Sequence, residues 1–180
     1  MELSMKIIKL PTDVHQGYIF QAQELVDDAL GANTFLKQVW QSNVHAWITL
    51  MNQQARAYDP PGCEYPYELA AYCSVIIEGD VGYLKTCVVD PHFTRRGIAT
   101  RLTELRIDFL KQQGVKTIRC NAWIVDGYCP AQKHLMRNGL KPGMDVRRFY
   151  SNQYNEKFPC SKCGPHCKCV ARIFEMKIKD

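Results

Sequence analysis

Cys87-Val88-Val89-Asp90-Pro91-His92-Phe93-Thr94-Arg95-Arg96-Gly97-Ile98-Ala99 is the stretch that decides the fold. Its first residues end a β-rich run at Pro91, a short turn follows, and a long helix begins near Arg96. At a helix start several backbone N–H groups have no intrahelical acceptor, and the helix dipole adds positive potential there. Gly97 and Ala99 keep side-chain bulk away, so a pyrophosphate can approach the backbone, and Arg95 and Arg96 bring charge beside it. By spacing alone, the same residues also suit a basic loop with a helix cap.

Outward from that turn, Ile98, Leu102, Leu105 and Phe109 keep a helical period to Gln113, with Arg101, Glu104, Asp108 and Lys111 opposite, and Gly114 suits a C-cap. Val115–Val125 alternates as a strand does, with Ile118, Cys120, Ala122 and Ile124 on one face. Pro130 fits the first turn of a helix running to Gly139, and strands are expected at Asp145–Asn152 and Val170–Ile178. Upstream, Tyr67–Glu78 and Val81–Val89 read as a hairpin around Gly79-Asp80. Asp59–Pro66, with three prolines, is a loop. Earlier still come a strand at Met5–Leu10, a helix at Gln16–Leu30, a second helix over Asn33–Gln41, and a strand at His45–Met51.

The order is mixed α/β, and Val89-x-Pro91 followed by Arg95-Arg96-Gly97-Ile98-Ala99 resembles the acyl-CoA signature of the GNAT acetyltransferases. Ala131, Gly139 and Leu140 fall where that family places Ala, Gly and Phe, and Ala171–Ile178 is similar to its closing strand. The resemblance runs over roughly 67–178; before it, only the order of elements fits. It implies one domain over residues 1–180, built on a twisted, mostly antiparallel sheet of about seven strands with a splayed pair and flanking helices.

For chemistry, the resemblance implies that acetyl-CoA lies along Cys87, Val88 and Val89, with its pyrophosphate on Thr94, Arg95, Arg96, Gly97, Ile98 and Ala99. The implied activity is an N-acetyltransferase in which a primary amine of a small molecule or peptide attacks the thioester directly. Three positions depart from the family pattern. Thr94 replaces a Gln or Arg, and Tyr128 replaces a common asparagine. Leu135 replaces the tyrosine that protonates the leaving thiolate, and no glutamate base stands near Tyr83. Tyr128 and His134 are the candidate substitutes as proton donors. The alternative function is an acyl-CoA-binding protein without turnover, acting as a sensor or interaction module.

Four of the nine cysteines crowd into Cys160-x-x-Cys163-x-x-x-Cys167-x-Cys169, a Cys-rich insertion at about 155–169 between the last two strands. Cys-x-x-Cys aims two sulfurs at one point, so these four are candidate ligands of a structural zinc. A loop of redox-active thiols is the other reading. The remaining cysteines are scattered through a core-rich chain, which argues for reduced thiols and a cytoplasmic protein rather than a disulfide scaffold. No apolar run approaches the ~18 residues of a membrane span, and no secretory leader is evident. The net charge of +5 suits an anionic cosubstrate and is too thin for nucleic acid. A monomer or a homodimer is expected.

Overall fold

The computed structural model describes residues 5–10, 16–30, 41–52, 67–150, 163 and 167–178. Seven strands form one sheet: β1 (Met5–Leu10), β2 (Val44–Asn52), β3 (Tyr67–Glu78), β4 (Val81–Val89), β5 (Thr117–Ile124), β6 (Lys141–Val146) and β7 (Val170–Lys177). Their order across the sheet is β1-β2-β3-β4-β5-β7-β6. All neighbours are antiparallel except β4 and β5. The connection between those two carries helix α2 (Ile98–Gln112), as a parallel crossover requires. Helices α1 (Gln16–Leu30) and α3 (Gln132–Arg137) complete the described elements, and no described helix is long and apolar enough to cross a membrane.

Side-chain alternation assigns the two faces of the sheet. Ala46, Ile48 and Leu50 of β2 join Tyr18, Ala22 and Val26 of α1 in one apolar cluster. Trp47 and Met51 join Ile98, Leu102 and Leu110 of α2 in the other. β2 and β3 are therefore covered on both sides, which explains why they read as nearly continuous apolar runs. The helix α2 stripe is broader than its sequence period suggests. Thr103, Arg106, Ile107 and Leu110 are buried, whereas Leu105 and Phe109 pack at the edge of the core.

The expected hairpin forms around Gly79-Asp80, with Glu78 opposite Val81. The sixth strand lies earlier than the sequence pattern suggests, at Lys141–Val146 instead of Asp145–Asn152. Pairing decides this: Lys141 and Pro142 lie opposite Glu175 and Phe174, and Pro142 is tolerated because β6 is an edge. Arg148 then turns the chain at φ 53°. The helix after Pro130 is shorter than expected, Gln132–Arg137. The Asp59–Pro66 loop and most of the Asn33–Gln41 helix fall outside the described residues.

Helix α2 rests so closely on β4 that a Cβ at Gly82 would stand 2.5 Å from Leu110 Cδ2. Leu110 is fully buried, and in a close-packed interior its side chain gives way only by displacing its neighbours. Gly82→Val should therefore lower stability by about 1–3 kcal/mol, as overpacking does, measured by denaturant unfolding.

Candidate active site

β4 and β5 run as neighbours only from Val81–Leu84 against Thr117–Cys120; beyond Leu84 the two strands part. The cause lies on the other edge of β4. Cys73 faces Cys87 while Val75 faces Leu84, so Ser74 alone stands opposite both Lys85 and Thr86. That extra residue is a β-bulge, which bends its strand and increases its twist. The backbone freed by the bulge is satisfied from both sides. Thr86 N–H donates to Ser74 Oγ at 3.4 Å, and Arg106 Nη1 donates to Thr86 O at 3.2 Å.

Arg106 is 2% exposed, and its remaining donors reach Leu102 O at 3.1 Å and Thr103 Oγ1 at 3.2 Å. A guanidinium stays charged under these conditions, so a fixed cation sits beneath the fork. Arg106→Met should cost about 1–3 kcal/mol, because Thr86 O loses its partner in a buried place. Denaturant unfolding tests this.

A cavity of about 500 Å³ opens between the parted strands. Cys87, Val88 and Val89 form one wall, Asn121, Ala122 and Trp123 the facing one. From Cys87 to Val89 the other edge of β4 remains paired with β3, so the edge toward β5 has no strand partner among the described residues. Trp123 Nε1 is a buried donor with no hydrogen-bond partner among the described residues. Ala131, His134 and Leu135 close one end of the space, and Phe149, Tyr150 and Cys169 contribute from the β6–β7 connection. Tyr150 OH donates to Asn121 O at 3.3 Å, which fastens that connection to the open edge of β5.

The turn after β4 is locally built. Asp90 Oδ1 accepts from His92 N–H at 2.7 Å and Thr94 Oγ1 donates to Pro91 O at 3.0 Å. Buried Phe93 and Ile98 pin its two ends, while Thr94, Arg95, Arg96 and Gly97 remain exposed. The Arg96 guanidinium lies 5.2 Å from the Phe93 ring centroid, a cation–π contact. Arg95 and Gly97 have φ 62° and 77°, and Gly97 is the N-cap, with no side-chain capping bond. The first N–H groups of α2 thus point out of an uncapped start, and Ala99 lies both there and in the cavity wall.

The candidate proton donors are placed differently. Tyr128 is 66% exposed and does not line the cavity. His134 does line it, and burial, helped by the Arg106 charge, lowers its pKa from 6.5 to about 4. Leu135 is buried and apolar in the same wall. Lys85, which the sequence pattern did not single out, sits in the bulge and in the cavity wall, and burial lowers its pKa. A charged residue in the middle of an otherwise apolar strand was the available signal. Burial also raises the thiols of Cys73 and Cys120, which keeps both protonated at neutral pH.

His134 gives a pH dependence with a definite sign. The unfolded imidazole binds a proton near 6.5 and the folded one resists until about 4. The stabilisation is complete above 6.5 and is lost as pH falls toward about 4. His134→Gln should flatten this part of the stability profile, measured by denaturant unfolding across that range.

Of the four cysteines near the last strand, the structure brings Cys163, Cys167 and Cys169 together, their sulfurs all within 4.8 Å of one another. Cys160 lies outside the described residues.

The comparisons with known proteins agree with this architecture. The model of the acetyltransferase (GNAT) family matches residues 24–133, and the chain belongs to that family. Among solved structures, the ribosomal-protein-S18-alanine N-acetyltransferase of Escherichia coli is 18% identical. That match covers 98% of this chain and 96% of that one, with a TM-score of 0.64. NAA60 of Arabidopsis thaliana, solved with a bisubstrate analogue, is 13% identical over 97% and 100% of the two chains, with a TM-score of 0.68. A Bacillus subtilis acetyltransferase in complex with CoA is 12% identical over 99% and 100%, with a TM-score of 0.62. At these identities the likeness is one of fold. No curated protein matches in sequence.

Proposed function

We propose that the chain acts as one domain that transfers an acetyl group from acetyl-CoA to a primary amine of a small molecule or peptide. The observation that carries this reading is the fork itself: an unpaired strand edge leading to an uncapped, basic helix start. The pantetheine arm, which is rich in amides, pairs with the open edge at Cys87, Val88 and Val89 as a strand would. The pyrophosphate then reaches the backbone N–H groups from Thr94 to Ala99, with Arg95 and Arg96 beside it. A free carbonyl of the arm or the thioester also finds a waiting donor in Trp123 Nε1. A solved neighbour from Elizabethkingia anophelis carries acetyl-CoA, which supports the choice of cosubstrate.

The acceptor amine must be neutral to attack, and a free lysine-type amine is so only about once in 10³–10⁴ molecules at pH 7. Burial in the cavity and the cations Lys85 and Arg106 both disfavour a charged amine, so the site itself promotes deprotonation. Attack forms the C–N bond and breaks the C–S bond, and the amine's surplus proton leaves to solvent or to the departing thiolate. The same cations favour that thiolate. His134, with its pKa near 4, is neutral at pH 7 and serves as a hydrogen-bond donor rather than as an imidazolium acid. The acceptor enters past Phe149 and Tyr150, whose rings suit an apolar or aromatic portion next to the amine.

A second reading, acyl-CoA binding without turnover, draws support from the apolar Leu135 and the outward Tyr128. Incubation with acetyl-CoA and a panel of amines separates the two by release of free thiol. Calorimetry with coenzyme A tests the binding reading that both share. Gly97→Val should weaken that binding roughly tenfold or more, since 1.4 kcal/mol is tenfold and a side chain at φ 77° is strained and would project into the open space before the helix. Unchanged affinity in that variant would reject the phosphate assignment.

A further inference from the structure

The cysteine cluster beside β7 is not used by acetyl transfer, and its geometry suits a metal. Zinc bound by thiolates at about 2.3 Å in a tetrahedron holds its sulfurs about 3.8 Å apart. Here Sγ of Cys163 and Cys169 stand 3.4 Å apart, and the three sulfurs of Cys163, Cys167 and Cys169 lie within 4.8 Å. The chain enters β7 directly after Cys169, so two of the ligands sit within three residues of a regular, well-paired strand. Cys167 is 1% exposed although the sequence around it is mostly polar.

We propose that Cys163, Cys167 and Cys169 hold a structural zinc ion as thiolates, releasing their protons to solvent on binding. Tetrahedral zinc takes one further donor beside these three sulfurs. The ion ties the long β6–β7 connection at its β7 end. At its β6 end the connection is already tied by Tyr150 OH, which donates to Asn121 O at 3.3 Å. Tyr150 and Cys169 both line the cavity, so fixing the connection shapes the wall on which the acceptor rests. This last step rests on the acetyltransferase reading; the metal site does not.

The test begins with the intact chain purified without chelator. Elemental analysis should give about one zinc per chain. Replacement by cobalt should produce the sulfur-to-cobalt charge-transfer band and the visible bands of a tetrahedral thiolate site. Cys163→Ser and Cys169→Ser, at an exposed and a half-buried position, should each lose the metal or bind it far more weakly, whereas Cys73→Ala keeps it. Metal-depleted chain should bind coenzyme A as before but show a several-fold higher KM for its acceptor. Absence of zinc together with no thiolate–cobalt band would overturn the proposal. So would metal that survives both serine variants, or a Cys163–Cys169 disulfide in the freshly purified chain. Failure of coenzyme A binding would instead remove the acetyltransferase reading and leave the metal count standing.

Discussion

The site depends on the parting of β4 from β5. Two parallel strands would ordinarily continue side by side, and their edges would satisfy each other. Here one extra residue in β4, opposite Ser74, turns that strand away just after Leu84. Ser74 and Arg106 take up the amide and carbonyl of Thr86 that the bulge leaves over. Without those two partners the fork would hold orphaned polar groups in the core, and closing the strands together would be favoured. With them, the sheet keeps an open edge in its interior, where an amide-bearing ligand can lie as an eighth strand would.

Electrostatics then give the opening its character. Arg106 and Lys85 place positive charge at the base of the fork, and Arg95 and Arg96 place it at the rim. Positive charge of this kind attracts anionic ligands and disfavours a second cation inside the cavity. Burial, helped by the Arg106 charge, depresses His134. Leu135, in the neighbouring wall, is buried and apolar.

The connection between β6 and β7 forms the remaining wall. Its aromatic residues reach the cavity, and its hydrogen bond to Asn121 covers part of the edge that β5 exposes. Much of the connection lies outside the described residues, yet its two described ends meet the same space. This side of the cavity is thus made by a different part of the chain from the β4 side.

The sequence by itself determined the turn at Pro91–Gly97, the helix that follows and most strands. Those features follow from local causes: a proline that ends a strand, a glycine able to adopt φ 77°, and apolar residues at periods of two or near four. Only the tertiary structure decided the fork, the burial of Arg106, the unpartnered Trp123 indole and the start of β6 at Lys141. Each of these is set by which residue stands opposite which across the sheet. A bulge is a mismatch between two strands, and neither strand alone records it. Nothing in the helical period marks Arg106 for burial; that is decided by Thr86 O, twenty residues earlier, which accepts its hydrogen bond at 3.2 Å.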